Sequence, residues 1–535
     1  MMAWEMTAVT EPNDEKISFV DRILDSVHGY IELTQIERKI IELPIFKRLQ
    51  SIKQLSLVNF VFPGAEHTRY THSLGVMFLV DKMAVQLNFT DGDRQLIRLA
   101  GLLHDIGHYP LSHVGESVYS SYVNDSEHNS EKNLSFIELH TNRTLEDIER
   151  VGKPSDLNSG VPQDKPYHHE AIGASIIRHS AEIKELISKY CDYINFEYIC
   201  DIITGIYSRY PQLSAMIQLM HSELDADRID YLLRDASFSG TNYGTVDIGI
   251  IIKNLTGEKQ HGVDIIGIKP KGISAADQFL INRFFAKSQI ICNRHVSALE
   301  FMAQAIIHYI SERGIFGFPK PDSLLKYVDN YEKNRAFLKF TDHLFWSAIY
   351  KIDESNDYIA HPRHVVDFAR MLAKHREIKT VSGIDNTYSG LEYEKLLDSV
   401  YGSQPYSNLQ FNSNNPFDMF QPGHFTPEVD TEVTYFIQKA HIITLTNDIP
   451  VDIHNARLVE KYGDSDQYKI NEQIACKKYR LQDGLAVIDN KDGLPEIQLL
   501  VDDTRSLIKT LFEMRLIILR EYDLFQYEDE VDTPA

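Results

Sequence analysis

Between Leu102 and His113 the chain reads LLHDIGHYPLSH, which sets a histidine and an aspartate side by side at His104–Asp105 and adds His108 and His113 a few residues on. A neutral imidazole and a carboxylate are matched ligands for a divalent transition metal, and adjacency lets one backbone turn present both. Two further ligands of the same kind stand at a distance, His72 in TRYTHSLGV and Asp227 in SELDADRIDYLLRD. Two imidazoles and two carboxylates form a mixed nitrogen and oxygen set suited to Mn²⁺, Fe²⁺, Zn²⁺ or, less tightly, Mg²⁺. Such an ion polarises a phosphoryl oxygen and lowers the pKa of a bound water toward neutrality. Any one of the four residues alone reads as an ordinary core or capping residue; the joint pattern is what points to a metal.

Ligands so far apart in sequence need rigid carriers. Asp93–His104 reads as an amphipathic helix, with Leu96, Ile97, Leu99, Ala100 and Leu103 on its apolar face, that delivers the His-Asp pair at its C-terminal end. Ser222–Asp235 reads as a second helix, with Asp227 and Asp230 three apart and Leu224, Ile229, Leu232 and Leu233 available to the core. Arg69 precedes His72 by three positions, so one helix would present both on one side. Val263–Lys269 alternates as a short strand does, and Val58–Phe62 reads as another. The expected fold is therefore mainly α with a few short strands, followed by a smaller α+β C-terminal region. In that region Thr431–Asp452 and Tyr479–Asp489 read as strands and Asp502–Arg520 as a closing amphipathic helix. The expected division is an N-terminal tail (1–16), a main helical domain (17–400), a linker (401–430) and the C-terminal region (431–535). A polar segment, 124–165, interrupts the main domain and reads as a surface loop rather than a lid or partner site.

Composition narrows the function classes. The chain of 535 residues is 43% hydrophobic and has no apolar run long enough for a membrane span, and MMAWEMTAVTEPNDEK at its start lacks the apolar core of a signal peptide. Cys191, Cys200, Cys292 and Cys476 are scattered without a CxxC pair, which fits a reducing compartment and argues against sulfur-ligated zinc. A cytoplasmic location is expected. The net charge of −23 disfavours extended nucleic-acid binding, which needs a basic surface to displace counterions. A small anionic substrate stays open, because Arg69, Arg228, Arg283 and Lys287 all lie in or beside the motif-bearing segments.

Six blocks follow one another over roughly half the chain: Val27-His28-Gly29, Phe46–Val76, Leu102–Glu116, His168–Ile177, Glu223–Ala236 and Lys271–Arg283. Their content and order resemble the HD-domain metal phosphohydrolases, and among these the deoxynucleoside triphosphate triphosphohydrolases, which include the bacterial dGTPases and the animal SAM-and-HD-domain dNTPase. The resemblance implies an HD-domain helical fold with His72, His104, Asp105 and Asp227 as metal ligands. It implies that His108, Glu116, His169 and His113 stand beside the scissile phosphate, with Glu116 eleven positions after Asp105 as the family requires. Arg69, Arg228 and Arg283 would then contact the phosphates. Gln54 and Leu55 would read the 3′-hydroxyl and pack under the sugar, and Tyr231 and Asp235 would flank it. Glu170 reads equally as an orienting partner of His169 or a surface residue.

The implied reaction is hydrolysis of a dNTP to deoxynucleoside and inorganic triphosphate, in a homo-oligomer subject to activation by an allosteric nucleotide. Val27-His28-Gly29 lies in the N-terminal region that some relatives use for that activation. The chain departs from the family along Gln278–Ile306. Counting eight from Arg283 reaches Ile291 where a tyrosine is usual, Lys287 stands where tyrosine or histidine is common, and Cys292–His295 replaces a histidine-containing segment. The metal set is intact while base stacking is altered. Two alternatives therefore stay open, an HD phosphohydrolase acting on another nucleotide or phosphoester, and a nucleotide-sensing regulator with little catalysis.

Overall fold

The structure is a computed structural model that describes residues 8–10, 16–126, 167–206, 210–260, 263–357, 359–377, 380–389, 435–444, 485–491, 494–500, 503–507 and 514–523. Most of the polar insertion, all of 401–430 and the acidic end of the chain lie outside these residues. The described part is mainly helical with a few short strands, as the periodicity predicts. Among the described residues no helix is long and apolar enough to cross a membrane.

The chain opens with a hairpin, β1 (Phe19–Asp25) and β2 (Gly29–Thr34). The Asp25 carboxylate accepts the backbone N–H groups of Val27 and His28 at 2.9 Å each, and Gly29 takes the left-handed conformation at φ 72° that closes the turn. A short helix, α1 (Gln35–Glu42), follows directly behind a Thr34/Glu37 capping box. Two longer helices pack side by side next, α2 (Arg69–Gln86) and α3 (Asp91–Leu103). Thr90 caps α3 by accepting the Asp93 N–H at 3.1 Å, and Asp91 and Asp93 place negative charge at its positive end. Leu96, Ile97, Leu99, Ala100 and Leu103 are fully buried, so the predicted apolar face of α3 is the core face and its last turn does deliver His104.

Four further helices complete the frame of the site: α4 (His113–Ser126), α5 (His169–His179), α6 (Ala226–Ser239) and α7 (Ile273–Ala286). Helix α6 starts four residues later than predicted because the Asp225 side chain accepts the Arg228 N–H at 2.7 Å and so ends the preceding loop. The segment Gln278–Ile306, where the chain departs from the family pattern, is not one continuous helix. A π turn at Lys287–Ile291 ends α7, and a new helix, α8 (Arg294–Arg313), begins behind the Asn293 cap.

One strand and one helix expectation need correction. Val58–Phe60 is a 3₁₀ turn closed by local backbone bonds, not a strand. Of the run predicted as a closing helix, Asp502–Arg520, the part from Met514 is instead strand, β9 (Met514–Asp523), central in an antiparallel sheet between β5 (Thr380–Ser389) and β6 (Tyr435–Thr444), while 502 and 508–513 lie outside the described residues. The aliphatic stretch Leu516–Leu519 contains adjacent β-branched isoleucines, and pairing on both edges overrides its helical spacing. The predicted Val263–Lys269 strand is β4 (Val263–Ile268), antiparallel to β3 (Leu255–Gln260). On its other edge β4 pairs in parallel with β7 (Ala486–Lys491), which continues antiparallel to β8 (Leu494–Leu499).

Candidate metal-centred active site

The four predicted ligands converge from three helices. His72 lies on the first turn of α2, His104 and Asp105 at the end of α3, and Asp227 on the first turn of α6. His72 Nε2 is 2.8 Å from Asp227 Oδ1 and 3.8 Å from Asp105 Oδ2. His104 Nε2 is 3.4 Å from Asp105 Oδ1 and 3.8 Å from Asp227 Oδ1. Ligands that share one ion at about 2.1 Å lie about 3–4 Å from one another, so the spacing fits a metal. The protonation pattern fits as well. His104 Nδ1 lies 2.8 Å from the Gly101 carbonyl, which can only accept, so the proton sits on Nδ1. Its Nε2 lone pair is left buried with no hydrogen-bond partner among the described residues. On His72 the Nδ1 is held at 2.7 Å by Asp230.

The electrostatics are those of a cation site. Burial works against a charge on His72, yet the carboxylates of Asp227 and Asp230 outweigh it and raise the imidazole to about 10. Burial also opposes ionisation of Asp105, but Arg69, His104 and His72 hold it at about 2. Asp227 is likewise driven below the usual carboxylate range, its bond to His72 overcoming its desolvation. The donor set can therefore hold a divalent ion, and its identity is left open by the ligands.

A second group abuts the first through Asp105. His108 Nε2 stands 3.4 Å and His169 Nε2 3.9 Å from Asp105 Oδ1, and the two rings stack at 4.0 Å between centroids. Glu116 holds His169 twice, accepting its backbone N–H at 2.9 Å and meeting its Nδ1 at 3.0 Å, and its other oxygen is 2.7 Å from the exposed His113. Burial lowers the basicity of His169, but the Glu116 and Glu170 charges prevail and raise it to about 9. Burial first, and the neighbouring Arg69 and His169 charges second, push His108 far down, so it is neutral. Neither of its ring nitrogens has a partner among the described residues. Glu170 bonds His168 at 2.7 Å, so the direct partner of His169 is Glu116.

The loop that carries these groups is tightly held. Leu111 and Ser112 both adopt left-handed backbone conformations, at φ 55° and 53°, a costly arrangement for residues with a Cβ. Asp342 accepts the Leu111 N–H at 2.7 Å, and Ser112 Oγ donates to the Lys53 carbonyl at 2.7 Å. The buried Arg48 guanidinium donates to the carbonyls of Ile106, His108 and Phe340 at 3.1, 2.6 and 2.8 Å. Gly107 permits contact with α5, since a Cβ there would lie 2.2 Å from the His169 carbonyl oxygen and 2.4 Å from Gly173 N. Arg48, Asp342 and Gly107 are residues that sequence reasoning missed. Gly107, inside HDIGH, was the one with a visible signal.

The predicted substrate residues fall into two places. Arg69 is buried and donates to Ser112 Oγ and Asp105 Oδ2 at 3.0 Å each and to the Gln54 carbonyl at 3.4 Å, so it joins the metal set to Gln54. Gln54 is buried, its side-chain oxygen has no partner among the described residues, and the half-buried Leu55 follows it. Tyr231, Asp235 and Arg283 line one cavity with Lys287 and Ile291, so two of the three departures from the family pattern border it. Asp235 is held by the buried His67, another residue missed from sequence, at 2.9 Å. Arg283 pairs with Glu223 at 2.9 Å, and Arg228 pairs with Asp225 at 2.5 Å and donates to the Ser222 carbonyl.

With this geometry in place, comparison with known proteins is informative. The family model described as HD domain matches residues 69–234, which spans all four ligands. An uncharacterised protein of Methanocaldococcus jannaschii is 32% identical over 297 residues, 55% of this chain and 51% of its own length. An uncharacterised protein of Mycoplasma pneumoniae is 30% identical over 348 residues, 62% of this chain and 72% of its own. The deoxynucleoside triphosphate triphosphohydrolase SAMHD1 of Gallus gallus is 30% identical over 229 residues, 40% of this chain but only 33% of that enzyme. The chain thus spans about half of the archaeal relative and a third of the chicken one. A solved phosphohydrolase of Bacteroides thetaiotaomicron shares the fold, with a TM-score of 0.56 at 19% identity over 94% of this chain and 99% of that one.

Proposed function

The chain belongs to the HD-domain family, and from that premise we propose that it is a metal-dependent triphosphohydrolase converting a deoxynucleoside triphosphate and water to the deoxynucleoside and inorganic triphosphate. One observation carries the reading: a single oxygen of Asp105, Oδ1, lies 3.4 Å from His104 Nε2 in the ligand set and 3.4 and 3.9 Å from Nε2 of His108 and His169 in the second group. A phosphate seated there faces the ligand set and an acid–base group at once. A divalent ion held by His72, His104, Asp105 and Asp227 would supply Lewis acidity toward the α-phosphate and an acidified water.

The chain's own groups do the rest. Water oxygen bonds to the α-phosphorus as the bond to the 5′-oxygen breaks; His169, kept protonated by Glu116, gives its proton to that leaving oxygen, and the proton the attacking water loses passes to solvent, from which His169 is reprotonated. His108, held neutral, offers a hydrogen bond to a phosphate oxygen without adding charge. Arg69 anchors the near phosphates. Arg228 and Arg283 stand where a triphosphate would exchange with Asp225 and Glu223 for their guanidinium groups. The unpartnered Gln54 oxygen suits a sugar 3′-hydroxyl.

The test is ion-pair chromatography of products after incubating Mn²⁺-loaded full chain with each dNTP, singly and mixed. Deoxynucleoside appearing with triphosphate is the expected result. Turnover only in mixtures would support the activating nucleotide and the homo-oligomer that belong to the same reading. Silence with all four, from protein that retains its metal, would sink it. A second reading, hydrolysis of another nucleotide, is favoured by Lys287 and Ile291 lining the cavity of Tyr231 and Asp235. Selective thermal stabilisation by a nucleotide other than a dNTP would support it.

A further inference from the structure

We propose that the β1–β2 hairpin sets the metal affinity of the centre through a buried chain of hydrogen bonds, His28 to Asp230 to His72, which makes His28 and Asp230 positioning residues. This rests on the reading of His72 as a metal ligand. Asp230 sits one turn after Asp227 on α6, fully buried, and its carboxylate is satisfied on every side. Oδ2 meets His72 Nδ1 at 2.7 Å and Arg234 Nε at 2.8 Å, and Oδ1 meets His28 Nε2 at 2.6 Å and Arg234 Nη2 at 3.0 Å. Arg234 is itself gripped from the hairpin, where Asp25 accepts from Nη1 at 2.8 Å and from Nη2 at 3.2 Å. The same Asp25 carboxylate organises the turn that carries His28. The hairpin turn therefore touches Asp230 twice, once through His28 and once through Arg234.

The tautomer of His72 makes this placement consequential. Its ring lies between two carboxylates, Asp230 at Nδ1 and Asp227 at Nε2, at 2.7 and 2.8 Å. To ligate, the imidazole must carry a single proton. If it sits on Nδ1, donated to Asp230, the Nε2 lone pair faces the ligand set; if it sits on Nε2, donated to Asp227, the histidine cannot ligate. An Asp230 carboxylate fixed in place at Nδ1 biases the ring toward the ligating tautomer and makes Nε2 a stronger donor. His28 and Arg234 are what fix it. Space is reserved for this arrangement on α2, because a Cβ at Gly75 would fall 1.9 Å from Asp230 Oδ1 and 2.5 Å from Arg234 Nη2. His28 is covered too, its ring lying 5.1 Å from that of Phe78 on the same helix.

The experiment measures Mn²⁺ affinity of the full chain by competition with a chromogenic chelator, alongside the melting temperature of the metal-free protein. Loss of a carboxylate behind a ligating histidine weakens metal binding by about 10–100-fold, so D230N is expected in that range. H28A, one bond further out, is expected to weaken binding several-fold, and H28Q, which can still donate to Asp230, to regain most of it. H28A with wild-type affinity overturns the inference alone, even if its melting temperature falls, because that is the signature of a purely structural hairpin. An equal affinity loss in H28A and H28Q also overturns it. Wild-type protein that takes up no metal overturns the metal-centre reading, and this inference with it.

Discussion

His169 is the side chain on which the proposed chemistry turns, because it is the one imidazole of its cluster that the surrounding charges raise, to about 9. Burial alone would strip its proton, and the Glu116 carboxylate at 3.0 Å restores it. H169Q keeps a group able to bond Glu116 but no proton that can move, so turnover is expected to fall about 10²–10⁴-fold with metal content unchanged by elemental analysis. Loss of metal together with activity would instead make His169 a ligand. E116Q tests the charge. An acid must be protonated to act, so activity is lost as pH rises through its pKa; without the Glu116 charge burial dominates, and the alkaline limb of the rate profile is expected to move to lower pH. A limb that stays in place would assign the proton elsewhere, with the exposed His113 the first candidate.

At the scale of the element, the loop from Asp105 to Ser112 is built for position rather than stability. Of its two left-handed residues Leu111 is held directly by Asp342 and Ser112 through Lys53, which Asp342 also binds, and burial raises the Asp342 carboxyl to about 6 against the lowering effect of the Lys53 and Leu111 N–H bonds. A carboxyl raised above its unfolded value favours the protonated native state, so between about pH 4 and 6 the native state holds the extra proton and stability falls as pH rises. D342N is expected to lack that slope, so the difference between the wild-type and D342N stability curves changes across this window by at most about 3 kcal/mol. Parallel curves from pH 4 to 7 would contradict it. G107A is expected to be worse than an ordinary overpacking, which costs about 1–3 kcal/mol, because its Cβ would meet backbone atoms of α5 that cannot rotate away. Since His169 opens α5, turnover should drop with it; a G107A protein of full activity would show that this contact does not set the site. These devices also mark how far the sequence could be read. The ligands and α3 were legible because residue type and 3.6-residue spacing are local signals. Asp342 lies more than 200 residues from the loop it holds, and nothing in its own neighbourhood reveals a partner so distant. Strand β9 was misread as a helix for a related reason, since its pairing with β5 and β6 is a property of segments far away in the chain.

Over the whole molecule, the chain carries a net charge of −23 and places several of its acids at the centre rather than on the surface. Asp105, Asp227, Asp230 and Glu116 are each held ionised below the usual carboxylate range, and each is opposed by its own burial. Arg69, Arg234 and the protonated His169 answer part of that charge. A divalent ion is the natural counter-charge for the remainder, and an ion that binds only the native state adds stability as RT ln(1 + [M]/Kd). Metal binding and folding stability should therefore be one measurement. Adding Mn²⁺ to chelator-treated protein is expected to raise the melting temperature in proportion to the logarithm of its concentration above Kd, about 2.7 kcal/mol at a hundredfold excess. D227A, which removes one ligand and one negative charge together, is expected to melt near the metal-free wild type and to respond little to Mn²⁺. A wild-type melting temperature indifferent to Mn²⁺, Fe²⁺, Zn²⁺ and Mg²⁺ alike would mean that the protein resolves its buried acids without a metal, through the proton that Asp227 and Asp230 hold on His72.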